Sequence, residues 1–201
     1  MRYFICFMVG IMFLLSSFIP VVAIPISYIF SGTSSGSISD PTGITNFSEA
    51  LFTITSIGDT DNIFSIPPNV LTNVSLSASI SISGVGLANF TENTHVFVNH
   101  AAQGAGFSSS VHFDLLDLLN PAFATWDLIS PIGPIFYATP FPVNQFHNVA
   151  TNLGLLTFDS YQDVTFSAVT AAAVPEPSTM LLLGSGLIGL AGYGRKKFFK
   201  K

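Results

Sequence analysis

The chain has 201 residues, of which only 8% are charged, and a formal net charge of −5. Its six basic residues lie at the two ends, as Arg2 and then Arg195, Lys196, Lys197, Lys200 and Lys201. The long middle therefore has no cationic side chain except histidine, which speaks against nucleic-acid binding and removes arginine clamps for anionic substrates.

In chain order, residues 1–23 carry one positive charge at Arg2, an apolar core over 3–18, and Val21-Val22-Ala23. This pattern predicts a secretory signal peptide, helical in its apolar core and cut after Ala23; the alternative is an uncleaved anchor. The single cysteine, Cys6, falls in this segment, so the exported part has no thiol, disulfide or cysteine-based zinc site.

Residues 24–173, about the size of one domain, follow a period of two. The clearest run is 74–82, where Val74, Leu76, Ala78, Ile80 and Ile82 alternate with serines, predicting one apolar and one hydroxyl face. Further strands are predicted at 26–31, 50–57, 87–90, 95–98, 110–113, 125–129, 155–158 and 164–169. Turns are predicted at 31–32, 40–43, 58–59, 67–69, 84–86, 103–106 and 131–134. Leu115-Leu116 and Leu118-Leu119, before Asn120-Pro121, suit a single helical turn packed on a sheet. The expected fold is all-β, an antiparallel β-sandwich or jelly roll. Its stability must come from apolar packing, for which 20 Phe in the whole chain and Trp126 supply large side chains.

Candidate chemistry in this domain is sparse. His95, His100, His112 and His147 match no zinc spacing and read as unrelated histidines. The run 58–62 (Gly-Asp-Thr-Asp-Asn) offers oxygen atoms at the spacing of a calcium loop but lacks the rest of that pattern, so an ordinary polar turn is expected. Asp114 and Asp117 flank a leucine pair, and capping of a local turn is expected in place of paired acid–base work. Sequons at Asn46, Asn73 and Asn89 read as chance, and Trp126 as core. No catalytic residue, cofactor or metal is expected.

The tail has three features in order. Val174, Pro175, Glu176, Pro177 and Ser178 form an extended, accessible peptide, because each proline fixes its own φ and excludes the preceding residue from the helical region. Residues 179–194 are uncharged and glycine-rich; as a helix they rise roughly 24 Å, short of the roughly 30 Å hydrocarbon layer, and predict a weak transmembrane segment. The basic cluster Arg195, Lys196, Lys197, Lys200 and Lys201 then holds the C-terminus in the cytoplasm.

This order resembles the PEP-CTERM sorting signal of Gram-negative bacteria over about the last 28 residues. The resemblance implies recognition by an exosortase, cutting near the Pro-Glu-Pro motif, and an association with exopolysaccharide or biofilm matrix. The sequence is thus read as three parts: signal peptide 1–23, β-rich secreted domain 24–173 and sorting signal 174–201. The expected function is that of a non-enzymatic envelope or matrix protein that passes through an inner-membrane intermediate. The alternatives are a carbohydrate- or calcium-binding surface module, and a polysaccharide hydrolase or lyase.

Overall fold

A computed structural model describes residues 24–109, 114–137, 148–170 and Ser185. The expected signal peptide, the expected strand at 110–113, His112, His147 and the sorting signal other than Ser185 lie outside the described residues. The strands are β1 (Pro25–Asp40), β2 (Gly43–Ile66), β3 (Val70–Ile82), β4 (Gly86–Asn89), β5 (Thr94–Asn99), β6 (Gly104–Ser109), β7 (Asp114–Leu119), β8 (Ile132–Tyr137), β9 (Val149–Thr151) and β10 (Gly154–Thr170). They form one antiparallel sheet in the order β7-β6-β5-β3-β2-β1-β10-β8, with β4 beside β3 and β9 beside β10. The all-β antiparallel class is therefore the one the sequence predicts. Among the described residues no helix is long and apolar enough to cross a membrane.

Strands β1, β2 and β10 run 16, 24 and 17 residues, beyond the usual length of about 3–10. They remain in one sheet by bending at bulges, which add a residue to one strand and sharpen its twist. Register shifts between Ser31 and Thr33 and between Ser35 and Gly36 break the β1–β10 ladder, and another between Ser34 and Gly36 breaks β1–β2.

The bends curl the sheet until distant strands meet. Phe107 of β6 lies 6.3 Å from Phe30 of β1 although β5, β3 and β2 stand between them in the sheet. Phe90, after β4, bridges to Thr151 of β9, and Glu92 accepts a hydrogen bond from the Ala150 N–H at 2.6 Å. Alternation places Ile26, Tyr28 and Phe30 of β1, Phe52 and Ile54 of β2, Val96 and Val98 of β5, and Val164 and Phe166 of β10 inside the curl.

Residues 121–130 close the curl and correct two expectations. The expected strand at 125–129 is a loop, because Asp127 folds the chain back by accepting from the N–H groups of Ile129 and Ser130 at 2.9 and 2.7 Å. Burial pushes the Asp127 carboxyl up, but these bonds outweigh it and hold the group below its ordinary range. The helical turn expected over the leucines comes instead at Pro121–Ala124, with Asn120 as its cap. Trp126 is core, as expected: its Nε1 donates to the Ser130 carbonyl at 2.9 Å and its ring meets Tyr28, Phe123 and Phe166. The Tyr28 hydroxyl donates to the Leu128 carbonyl and accepts from Asn73 Nδ2, both at 2.8 Å. Burial pushes the Tyr28 ionisation well above its ordinary value. Asn73 is itself fully buried, so this sequon is closed to modification in the folded chain.

The expected turn at 40–43 forms, with Asp40 Oδ1 accepting from the Thr42 and Gly43 N–H groups at 2.7 and 3.0 Å. Those expected at 31–32 and 58–59 are interior to β1 and β2, and that at 131–134 overlaps β8. The turn placed at 103–106 ends at Gln103, and Gly104-Ala105-Gly106 opens β6.

Candidate functional site

Two irregularities assemble a site on the outer face of the sheet. In β2, Phe52, Ile54 and Ser56 face the core, but the register jumps from Gly58 opposite Ser75 to Ile63 opposite Asn73. Residues 59–62 leave the ladder there, with the Asp61 N–H on Asp59 Oδ1 at 2.9 Å. The run read as a polar turn is thus an excursion within one strand. Because strand side chains alternate with a strict period of two, this jump reverses which residues face out: Ile63 packs against the core, while Phe64 and Ile66 are exposed. A matching shift in β3 between Ser75 and Ser77 leaves Leu76 62% exposed. The single apolar face expected for 74–82 therefore holds only from Ala78 onward.

The second irregularity is in β7. Asp114 pairs with Ser108, yet Leu116 pairs with Phe107, so Leu115 is the extra residue of a bulge. Both leucines are buried, and the two aspartates, three positions apart, share the opposite face. They do not cap a helical turn, which corrects that expectation. Asp117 lies over Gly106, its neighbour in β6; a Cβ at Gly106 would fall 2.7 Å from the Phe97 ring and closer still to Asp117 Oδ1. That oxygen is buried and has no hydrogen-bond partner. Burial, reinforced by the charge of Asp114, pushes the Asp117 carboxyl up to about 8, so it holds its proton at neutral pH.

The edge backbone of β7 is satisfied from across the curl. The Tyr161 hydroxyl of β10 donates to the Asp117 carbonyl at 3.0 Å and accepts from its N–H at 3.1 Å. Tyr161→Phe should cost about 1–2 kcal/mol by leaving these groups unpaired. Urea unfolding measures that loss, and an unchanged midpoint would contradict the role given to the hydroxyl.

Between these elements lies a cleft of about 340 Å³. Its apolar wall is Phe64, Ile66, Val70 and Phe97, and its polar groups include His95, Asn99, Ser108 and Asp114. Phe64 stands edge-on to the His95 ring, with centroids 6.5 Å apart. The register sets the order across the floor: Phe64 opposite Thr72, Thr72 opposite Phe97, His95 opposite Ser108, and Ser108 opposite Asp114.

Of the residues considered from sequence, His95 and Asp114 come together in this cleft and Asp117 lies beside it. His100 points elsewhere, its Nε2 2.8 Å from the Trp126 carbonyl oxygen. Among the described residues no group of three His, Cys, Asp or Glu side chains is placed to hold a metal. Phe64, Phe97 and Asn99 escaped sequence reading. The available signal was the polar run 59–62, whose length reverses the facing of Ile63 through Ile66.

Residues 173–196 match the family model described as the PEP-CTERM protein-sorting motif. The chain thus carries the PEP-CTERM sorting motif, which indicates a protein exported through the envelope and processed by an exosortase. No curated protein and no solved structure is similar to it.

Proposed function

We propose that the chain is a non-enzymatic protein of the outer envelope or extracellular matrix, released from an inner-membrane intermediate and deployed with exopolysaccharide. The observation that carries this reading is the sorting motif at 173–196 together with the distribution of charge. Every Lys and Arg lies in the two end segments, so processing at both ends leaves a domain whose charged side chains are acidic apart from its histidines, beside many Ser, Thr and Asn. Such a surface suits a hydrated, uncharged or cation-bridged matrix. The contact of Phe30 with Phe107 across the curl supports a two-layered, sandwich-like packing. Asp114 and Asp117 share one face of one strand, which supports a non-catalytic reading, since glycoside hydrolysis requires carboxyls flanking the bond from two sides.

Replacing Pro175 and Pro177 together with alanine lets the motif become helical and removes the extended site. In the native host, the variant should accumulate as unprocessed precursor in the inner-membrane fraction, where the wild type is depleted. Mass spectrometry of the C-terminal peptide reads the result, and processing at the wild-type rate would overturn the sorting mechanism.

A further inference from the structure

We infer that the outer-face cleft binds a neutral hexopyranose unit of an extracellular glycan chain, with the sugar ring against Phe64 and its hydroxyls on the polar groups of β5, β6 and β7. The inference rests on the matrix reading only for where the glycan is met; the site itself is argued from its own chemistry.

Charge narrows the ligand first. The domain has no Lys or Arg, and Asp114 is part of the cleft, so an anionic ligand would meet a carboxylate and find no Lys or Arg to neutralise it. A bare metal ion is poorly served, because no trio of metal-ligating side chains converges among the described residues. A wholly apolar ligand would strip water from Asp114, Asn99 and Ser108 without replacing their hydrogen bonds, which is unfavourable.

A neutral sugar meets both walls. Its C–H face is apolar and fits the ring of Phe64, a residue 45% exposed, and the aliphatic groups of Ile66 and Val70. Its hydroxyls both donate and accept, as amide, carboxylate and hydroxyl partners require. Asn99 already uses Oδ1 to accept from the Ala102 N–H at 3.0 Å, which orients its side chain and presents Nδ2 as a donor. The groups stand on paired strands, so little ordering is needed on binding. A cleft of about 340 Å³ is at the small end of ligand sites, suited to one or two sugar units of a longer chain.

The test is affinity electrophoresis of the protein purified from the host, in gels containing a neutral glucan, a neutral galactomannan or a polyuronate. Retardation is expected by at least one neutral polymer and by no polyuronate. Phe64→Ala should weaken the retardation about tenfold, and Phe64→Trp should restore or strengthen it. Equal thermal midpoints for the three proteins show that the fold is kept, as the exposure of Phe64 predicts. Three results each overturn the inference: no retardation by either neutral polymer, retardation by the polyuronate alone, or retardation that Phe64→Ala leaves unchanged. Failure here with normal processing at the sorting motif leaves the export reading standing, whereas binding by a protein that is not processed does the reverse.

Discussion

Replacing Phe166 by alanine should destabilise the domain by about 4 kcal/mol, within the range for removing a large aromatic side chain from a packed core. Phe166 is fully buried, and its ring lies 4.7, 5.6 and 5.2 Å from those of Phe30, Phe123 and Trp126. It therefore joins β1 and β10 to the segment that closes the curl, and removing it opens a cavity whose walls belong to three separate elements. With the chain's only cysteine at position 6, ahead of residues 24–173, the domain has no disulfide to offset the loss. Urea unfolding should show a much lower midpoint for Phe166→Ala, while Leu76→Ala, on the exposed bulge of β3, should stay within about 0.5 kcal/mol of wild type. Equal midpoints for the two variants would remove Phe166 from the centre of the core.

Asp117→Asn should change the pH dependence of stability as well as its level. The folded carboxyl is pushed up to about 8 from an ordinary 3.8, first by burial and then by the Asp114 charge. Between those values the folded chain binds a proton that the unfolded chain has released, so stability falls as pH rises from about 4 to about 8 and then levels. At about 1.4 kcal/mol per pH unit, the ceiling on the loss is roughly 5–6 kcal/mol; solvent reaching this half-buried group brings the expected value to about 2–3 kcal/mol. Asparagine resembles the protonated acid in shape and carries no charge. The variant should match wild type near pH 4 and exceed it by that amount near pH 9. Thermal midpoints across this range decide it, and parallel profiles for the two proteins would show that Asp117 ionises normally in the fold. Asp114→Asn should remove the smaller, charge-derived part of the slope.

The limits of sequence reading are visible in single elements. Strand 26–31 was legible because Ile26, Tyr28 and Phe30 alternate with outward residues in an unbroken ladder. Gly104-Ala105-Gly106 read as a turn because glycine usually marks one. In the fold, Gly106 is a strand residue kept small by the Phe97 ring and the Asp117 carboxyl, one on each neighbouring strand. Asp114 and Asp117 read as caps because a spacing of three suits a helical turn, and only the extra residue in β7 turns that spacing into a shared strand face. Among the cleft residues Phe97 looked like an ordinary aromatic of strand 95–98 and Phe64 fell in no predicted element, because the polar run 59–62 reads as a turn and does not reveal that the strand resumes beyond it with its facing reversed.

By itself the sequence determined the destination and the class. The sorting motif is a local peptide that an enzyme reads without a fold, and the absence of basic residues from the domain holds in any conformation. The period of two likewise commits the chain to strands, because each residue's facing follows from that of its neighbour. Only the tertiary structure decided which residues share the outer cleft and which carboxyl keeps its proton. Both depend on where bulges interrupt the period and on which distant strand then lies alongside. Those are properties of pairing between segments, and no stretch of the sequence carries them alone.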